Sequence, residues 1–280
     1  MATPDVDLAI STLGCPDWDL DRICRTCADW GYDGVDFRGY LDEPRDVTDH
    51  ALFRDRPSGV CDRLAEAGLA ISCLSSSLRI CDESALDANL AMAEQFAALA
   101  RALDVEFVRV FGAGDIDRHD RAELVTFGAE TMAKLLEVPG ASEVTWILET
   151  HDNWIDSRDC LELIEAVDEP NFQLLWDAGH TTRVGDEAPA ETLDRVGEHI
   201  EYVHLKDARL EPDHSDAMDD GWRYVTPGEG ELPLDVAVAG LAEIGYDGWL
   251  MFEHEKRWHP ELAAPAAAFP VFIEWFNSLE

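Results

Sequence analysis

One stretch of the chain decides its fold: residues 144 to 177 read VTWILETHDNWIDSRDCLELIEAVDEPNFQLLWD. A short apolar run at Val144–Leu148 is followed by a helical pattern over Ser157–Val167 and by a second apolar run at Phe172–Trp176. Apolar runs separated by a helix are typical of parallel strands that are buried on both faces. The stretch therefore predicts a β-α-β unit, and Ser157 is the expected N-cap of its helix.

Similar runs and helical patterns recur along the rest of the chain. The further apolar runs are Val6–Ile10, Gly34–Phe37, Leu69–Leu74, Val105–Phe111, Tyr202–Leu205 and Trp249–Phe252. The further helical patterns span Asp19–Trp30, Ser84–Leu103, Arg121–Glu137, Pro189–Glu198, Leu234–Ile244 and Glu261–Leu279. Eight apolar runs that alternate with helical patterns in a chain of 280 residues predict the eight βα units of an α/β protein with a (β/α)8 barrel, which usually takes about 250 residues.

The alternative fold is a doubly wound parallel sheet, which usually carries a glycine-rich turn after its first strand. The corresponding turn here, Thr12–Pro16, contains the single glycine Gly14, so the barrel is favoured. We expect one TIM-barrel domain over residues 1–280. The longest connection without a repeat, Asp207–Leu232, would then lie at the C-terminal mouth of the barrel, where active-site loops are found.

The charge of the chain is strongly negative. Asp and Glu total 59 against 21 Lys and Arg, which gives a formal net charge of −38. Such a field repels nucleic acid and anionic membranes, so neither is an expected partner. The acids are spread over the whole length, as in a salt-adapted protein whose surface repulsion is screened by high salt. We therefore expect a halophilic protein that acts on a small molecule.

The sequence also indicates a cellular compartment. No apolar run approaches the ~18 residues that a membrane span needs, and the start Met1–Asp5 lacks the basic and apolar regions of a secretion signal. Seven cysteines, an odd number, indicate free thiols rather than a disulfide framework. The expected location is the cytoplasm. The sequence leaves open whether the chain forms a homo-oligomer.

Metal-type ligands stand at the ends of the last four predicted strands. These residues are Glu149, Asp177, His204 and Glu253. The carboxyl ends of parallel barrel strands converge at one mouth, so the four side chains are expected to meet there. Three carboxylates and one imidazole suit Mn²⁺ or Mg²⁺, with Zn²⁺ and Co²⁺ as alternatives. The sequence therefore predicts one divalent metal ion.

Several motifs resemble those of the xylose isomerase-like barrel superfamily, and in particular its sugar phosphate isomerase/epimerase branch. They are Glu149-Thr150-His151, Asp177-x-x-His180, His204-x-Lys206-Asp207, Gly34-Val35-Asp36-Phe37-Arg38, Pro227-Gly228-Glu229-Gly230 and Gly245-Tyr246-Asp247-Gly248-Trp249 with Glu253. That branch includes ketose 3-epimerases, hydroxypyruvate isomerases and inosose dehydratases. The resemblance covers essentially the whole chain.

The resemblance implies roles for individual residues. In the epimerases, residues that match the metal ligands Glu149 and Glu253 also face each other across the substrate and move protons. His180 matches a substrate-binding histidine, and His151 would lie near the substrate. The epimerases carry an Arg six positions after the metal-binding His; here Leu210 stands there, and Arg209 comes one position early.

Two further cations are candidates from the sequence itself. Lys206 either orients a substrate oxygen or forms a salt bridge with Asp207 or a neighbouring ligand carboxylate. Arg38 ends the second strand and could reach the substrate, whereas Arg109 in mid-strand is expected to be a buried ion-pair partner.

The expected function is a metal-dependent isomerase or epimerase that acts on a small polyhydroxy carbonyl compound through an enediolate. One alternative is an inosose dehydratase-like lyase on the same site, and another is a non-catalytic barrel that binds a sugar. Zinc endonucleases for abasic DNA share the barrel but need extra histidines from earlier strands. The third and fourth strands here end in Ser75-Ser76 and Phe111-Gly112, which argues against that class.

Overall fold

The computed structural model describes residues 3–41 and 46–279. Its main sheet is a closed barrel of eight strands in which all neighbours are parallel. The strands are β1 (Asp7–Ser11), β2 (Gly34–Phe37), β3 (Ala70–Arg79), β4 (Phe107–Phe111), β5 (Thr145–Glu149), β6 (Phe172–Asp177), β7 (Ile200–Leu205) and β10 (Trp249–Phe252). Their order is β1-β10-β7-β6-β5-β4-β3-β2. The predicted barrel and all eight predicted strands are confirmed.

Helices connect these strands. They are α1 (Leu20–Trp30), α2 (Ala51–Asp55), α3 (Pro57–Glu66), α4 (Leu86–Leu103), α5 (Arg121–Leu136), α6 (Ser157–Val167), α7 (Ala178–Arg183), α8 (Pro189–Val196), α9 (Leu234–Ile244) and α10 (Pro265–Asn277). The sequence analysis missed α2, α3 and α7. The apolar stripe of α3 is thin because the helix buries only Val60 and Leu64, and α7 has six residues.

The predicted cap of α6 is wrong by one residue. Asp156 is the N-cap, and its side chain accepts a hydrogen bond from the Arg158 backbone N–H. Ser157 is buried, and its hydroxyl donates to Glu187 at 2.5 Å instead. An acid therefore faces the positive end of the helix dipole, and the serine joins α6 to the loop between α7 and α8.

The barrel interior is arranged in tiers. Its lower part is filled by an apolar cluster with one residue from most strands: Ala9, Cys73, Phe107, Ile147, Leu175, Tyr202 and Met251. Residues of the opposite parity, such as Val108 and Trp146, belong to the larger core formed with the helices. We call the seven residues of this apolar cluster the plug. Because side chains alternate along a strand, the residue two positions beyond each plug residue also faces inward, one tier higher.

An additional hairpin lies in the long connection after β7, where the sequence predicted only a loop. Its antiparallel strands are β8 (Asp207–Leu210) and β9 (Trp222–Val225). The Asp207 carboxylate accepts hydrogen bonds from the backbone N–H groups of Gly228 and Gly230, both at 2.9 Å. A Cβ at Gly230 would lie 1.9 Å from Asp207 Oδ1, so the loop requires glycine there. Asp207 thus shapes the mouth of the barrel.

No helix in the described ranges, 3–41 and 46–279, combines the length and the apolar character that crossing a membrane requires.

Candidate metal centre

Four metal-type side chains meet in the tier above the apolar plug. Glu149, Asp177, His204 and Glu253 each follow a plug residue of their own strand by two positions. One ligand atom from each lies within 4.8 Å of the others. All four are buried, with Glu253 the most exposed at 9%. The structure therefore brings together the complete set that the sequence predicted.

Asp177 has its two oxygens in different roles. Oδ1 accepts a hydrogen bond at 2.8 Å from the His180 backbone N–H and so caps α7. Oδ2 is buried and makes no hydrogen bond of good geometry. The cap fixes the carboxylate and directs Oδ2 toward the cluster, which explains why the helix starts immediately after the strand.

His204 lies between the two glutamates. Its Nδ1 is 3.5 Å from Glu149 Oε1 and 3.4 Å from Glu253 Oε1. Both ring nitrogens are buried without a hydrogen bond. Buried polar atoms are normally satisfied, and Nδ1 lies unsatisfied between two carboxylates. A divalent cation would satisfy this nitrogen, and the ligand atoms of all four residues lie close enough together to hold one, so the donor set fits a metal ion.

Charges in the cluster perturb its pKa values. Burial by itself would lower the pKa of His204, but the carboxylates of Glu253 and Glu149 raise it to about 10. Burial raises the pKa of Asp177 to about 7, although Lys206 opposes this. Without a metal, His204 is therefore an imidazolium, with both ring nitrogens protonated at neutral pH. A metal ion has to displace one of these protons to bind.

Lys206 is joined to this cluster. Its Nζ is 2.8 Å from Asp177 Oδ2, 2.5 Å from Glu253 Oε2 and 2.8 Å from Glu255 Oε1. Of the two salt bridges considered from the sequence, the structure contains the one with a ligand carboxylate. Burial opposes the charge on Lys206, yet Asp177 and Glu253 hold its pKa well above the usual value.

Arg109 occupies the corresponding tier of β4. Its Nε lies 3.3 Å from Glu149 Oε2, so the expected buried ion pair is present. The guanidinium also packs 3.8 Å from the ring centroid of Phe111, two residues further along the strand. Burial by itself would raise the pKa of Glu149, but Arg109, His151 and His204 lower it below its usual value. Glu149 is therefore an anion at neutral pH.

Three of the residues expected to bind substrate lie one tier higher. The ring of His151 is 4.7 Å from that of Phe111 and 4.8 Å from that of His180. Arg38 also lies near Phe111, with its guanidinium 6.0 Å from the ring centroid, and it donates to Ser77 Oγ at 3.1 Å. His151 and His180 follow candidate ligands, and Arg38 follows β2, toward the C-terminal mouth of the barrel, where a substrate-binding wall would be expected.

Arg209 is placed differently. It lies on β8, and its guanidinium donates to the backbone carbonyl of Glu229. This contact belongs to the hairpin and its following loop rather than to the cluster. A role for Arg209 in substrate binding stays a prediction.

The hydrogen bonds of His180 limit what this residue can ligate. Its Nδ1 is 3.1 Å from the Thr150 carbonyl oxygen, which requires a proton on Nδ1. Its Nε2 is then the acceptor that faces Lys206 Nζ at 3.0 Å. Glu149, His151 and His180 also lie close enough together to hold a cation. Because both nitrogens of His180 are engaged, a second ion there would have to displace Lys206.

Sequence reasoning missed two acids beside the cluster. Asp36 is 1% exposed, accepts a hydrogen bond from Ser75 Oγ at 2.9 Å and lies 3.9 Å from His204 Nε2. Glu255 is bound by Lys206. A sequence signal was available for Glu255, because it follows Glu253 by two positions, just as Lys206 follows His204. Residues two positions apart on a strand face the same side.

Comparison with known proteins identifies related sequences. The family described as xylose isomerase-like TIM barrel matches residues 24–277. The chain is 35% identical over 112 residues to an inosose dehydratase of Clostridium botulinum, a match that covers 37% of each chain. The chain thus spans little more than a third of the length of that curated relative.

Solved structures resemble the fold over nearly its full length. A protein named IolI, crystallised with a zinc atom, superposes with a TM-score of 0.78 at 18% identity and covers 98% of this chain and 99% of its own. D-psicose 3-epimerase of Clostridium cellulolyticum gives a TM-score of 0.75 at 14% identity, with the same coverage. At such identities the likeness establishes the fold alone.

Proposed function

The chain belongs to the xylose isomerase-like TIM barrel family, and from that premise we propose that it is a divalent-metal-dependent isomerase or epimerase of a small polyhydroxy carbonyl compound. The observation that carries the proposal is the position of His204 Nδ1, which is buried without a hydrogen bond between Glu149 Oε1 and Glu253 Oε1. Two carboxylates on either side of one metal site are what a two-base proton transfer needs.

The residues that would hold the metal are Glu149, Asp177, His204 and Glu253. Three oxygen donors and one nitrogen donor favour Mn²⁺ or Mg²⁺, with Zn²⁺ and Co²⁺ as alternatives. The zinc atom in the IolI structure supports metal binding in a barrel of this kind.

The proton-transfer roles fall to Glu149 and Glu253. Both have lowered pKa values and are therefore deprotonated and ready to accept a proton. A divalent ion held by the four candidate ligands would polarise the substrate carbonyl and acidify the adjacent C–H bond, which a weak carboxylate base requires. One glutamate removes the proton beside the carbonyl and later releases it to solvent. The other, after taking up a proton from solvent, delivers that proton at the neighbouring carbon or on the opposite face.

The wall above the cluster would bind the substrate. His151 and His180 present ring edges, and Arg38 presents donors suited to hydroxyl or carbonyl oxygens. Phe111 lies near both Arg38 and His151 and supplies an apolar surface. A small polar molecule with one apolar ring face is the substrate type that such a wall favours.

A second candidate is a dehydratase on the same site. The specific observation in its favour is Lys206, whose ammonium group lies between Glu253 Oε2 and His180 Nε2 and could protonate a departing hydroxyl. The partial likeness to an inosose dehydratase points the same way. Both candidates share the first step, removal of a proton next to a carbonyl, and differ in the second, which is either return of a proton or loss of a hydroxyl.

The test is turnover of a panel of ketoses and inososes by the Mn²⁺-loaded protein in D₂O and molar KCl. An isomerase or epimerase conserves the mass of its substrate apart from deuterium gained beside the carbonyl. A dehydratase releases a product that is lighter by one water. Protein stripped of metal by a chelator should show neither deuterium exchange nor turnover.

The matched controls are Asp177→Ala, which removes a ligand, and Glu187→Gln, which changes a buried acid that bonds Ser157 instead. Elemental analysis should find about one ion per chain in the parent and in Glu187→Gln, and much less in Asp177→Ala. Full metal content without exchange on any carbonyl substrate would overturn the catalytic proposal and favour a binding barrel.

A further inference from the structure

We propose that Asp36 is a positioning residue that holds the proton of His204 on Nε2 and so presents the lone pair of Nδ1 to a divalent cation. The inference rests on the metal centre of the proposed function and extends it to an element, β2, that supplies none of the four ligands.

The position of Asp36 is fixed by the barrel. It lies on β2 opposite Ser11 of β1, next to the polar tier that contains the cluster. The Ser75 hydroxyl donates to its Oδ2 at 2.9 Å, which orients the carboxylate. Its Oδ1 is buried and has no hydrogen-bond partner. A buried carboxylate with an unused oxygen is costly unless it interacts with a charge or a donor.

The group that Asp36 faces is the far side of the His204 ring. Nδ1 points between Glu149 and Glu253, and Nε2 lies 3.9 Å from Asp36 Oδ2. Nε2 is buried and makes no hydrogen bond of its own. At 3.9 Å the two groups interact as charges rather than through a hydrogen bond. In a buried site with little solvent screening, that attraction is strong enough to bias the ring.

The bias has a definite direction. A neutral imidazole carries one N–H, and a negative charge beside one nitrogen stabilises the form with the proton on that nitrogen. With the proton on Nε2, Nδ1 is free to bind a cation between the glutamates. Carboxylates behind metal-binding histidines commonly act in this way, and their loss typically weakens metal affinity 10- to 100-fold.

A structural role for Asp36 would have a different consequence. The carboxylate could instead only balance the charge of Arg109, which also acts on it. Its replacement would then lower stability without changing the state of the His204 ring. The decisive measurement is therefore one that reports on metal affinity and on the ring nitrogens rather than on activity.

The experiment uses the full chain and Mn²⁺ alone as probe. Asp36→Asn keeps the size and removes the charge, so isothermal titration should give 10- to 100-fold weaker Mn²⁺ binding than the parent. Ser75→Ala frees the carboxylate without removing it and should weaken binding in the same direction by a smaller factor. Glu187→Gln, a buried acid bonded by Ser157 in the same manner, should bind like the parent.

Nitrogen-15 spectra of the Zn²⁺-loaded protein supply the second readout, with the His204 signals assigned by their loss in His204→Gln. We expect a protonated Nε2 in the parent and a mixed or altered pattern in Asp36→Asn. Parent-like affinity and spectrum in a folded Asp36→Asn would overturn this inference alone. If Asp36→Asn does not fold, Ser75→Ala decides, and parent-like Mn²⁺ affinity there has the same meaning. A parent that binds no Mn²⁺ would overturn the proposed function as well.

Discussion

Glu149 and Glu253 approach His204 with nearly equal geometry, yet the surroundings of their second oxygens differ. Each places Oε1 within 3.5 Å of His204 Nδ1. On the Glu149 side, Oε2 meets Arg109, whose guanidinium stacks on Phe111. On the Glu253 side, Oε2 meets Lys206, which also bonds Asp177, Glu255 and His180.

The difference shows how one arrangement of ligands can serve two chemical tasks. A guanidinium keeps its charge under all ordinary conditions, so the Glu149 side is a fixed ion pair. An ammonium is a compact proton donor on a flexible stem, and here it links three carboxylates to a neutral histidine. The Glu149 side is therefore a single ion pair, whereas the Glu253 side belongs to a network in which one ammonium contacts several polar side chains.

The largest expected effect tests whether both glutamates move protons. Glu149→Gln and Glu253→Gln each keep an oxygen for the metal but lose the basic lone pair and the charge. Turnover should fall by ~10² to 10⁴, the usual contribution of a general base. Each single variant should still exchange deuterium on its intact side, measured by mass spectrometry in D₂O. If both variants turn over almost normally with metal bound, the two carboxylates are only ligands.

The next prediction compares the stability that the protein loses when Lys206 or Arg109 is replaced. Breaking a buried ion pair by removing one partner typically costs about 3–5 kcal/mol. In metal-free protein, Lys206→Met leaves Asp177, Glu253 and Glu255 without their common cation, so its loss should lie at the upper end. Arg109→Met breaks one direct ion pair, that with Glu149, and should lose less. Urea unfolding gives both values.

Added Mn²⁺ sharpens the same comparison. The ion would bind the carboxylates that Lys206→Met leaves uncompensated, so it should restore more stability to Lys206→Met than to the parent. Equal losses for the two variants, with no extra gain from Mn²⁺, would show that the two sides are energetically alike and that Lys206 does not hold the ligand carboxylates.

A smaller effect on stability is expected from the contact between Arg109 and the ring of Phe111. Phe111→Leu keeps an apolar side chain but removes the aromatic face 3.8 Å from the guanidinium. A cation–π contact of this kind contributes about 0.5–2 kcal/mol, so the free energy of unfolding should fall by about that amount. Urea unfolding of Phe111→Leu, Arg109→Met and the double variant Arg109→Met/Phe111→Leu measures the coupling between the two side chains. A double variant whose loss equals the sum of the single losses would contradict the contact.

The smallest expected effect is that of salt on the buried pairs. The Debye length shortens from ~10 Å at 0.1 M to ~3 Å at 1 M salt, but this screening acts mainly on exposed charges. The stability difference between the parent and Arg109→Met should therefore hardly change over that range. The melting temperature of the parent itself should rise with KCl, because its net charge of −38 is screened. A parent insensitive to salt would contradict the prediction of salt adaptation.

Much of the site was predictable because it follows from local periodicity. The apolar runs located the strands, and the residue type at each strand end predicted the candidate ligands that the structure brings together, as with Glu149 two positions after Ile147 and Glu253 two positions after Met251. Lys206 was also recognisable, since it continues the inward face of β7 beyond His204. The thin stripe of α3 and the paired strands of the hairpin gave no comparable signal.

What the sequence alone determined is thus the order of strands and helices and the set of side chains that reach the mouth of the barrel. Only the tertiary structure decided which oxygen of each glutamate faces His204, which cation holds the other oxygen, and that Asp36 stands behind the ring. Those contacts join residues such as Lys206 and Glu253, 47 positions apart, or Ser75 and Asp36, 39 apart. They depend on the stagger of neighbouring strands when the barrel closes, and local patterns of hydrophobicity do not encode that stagger.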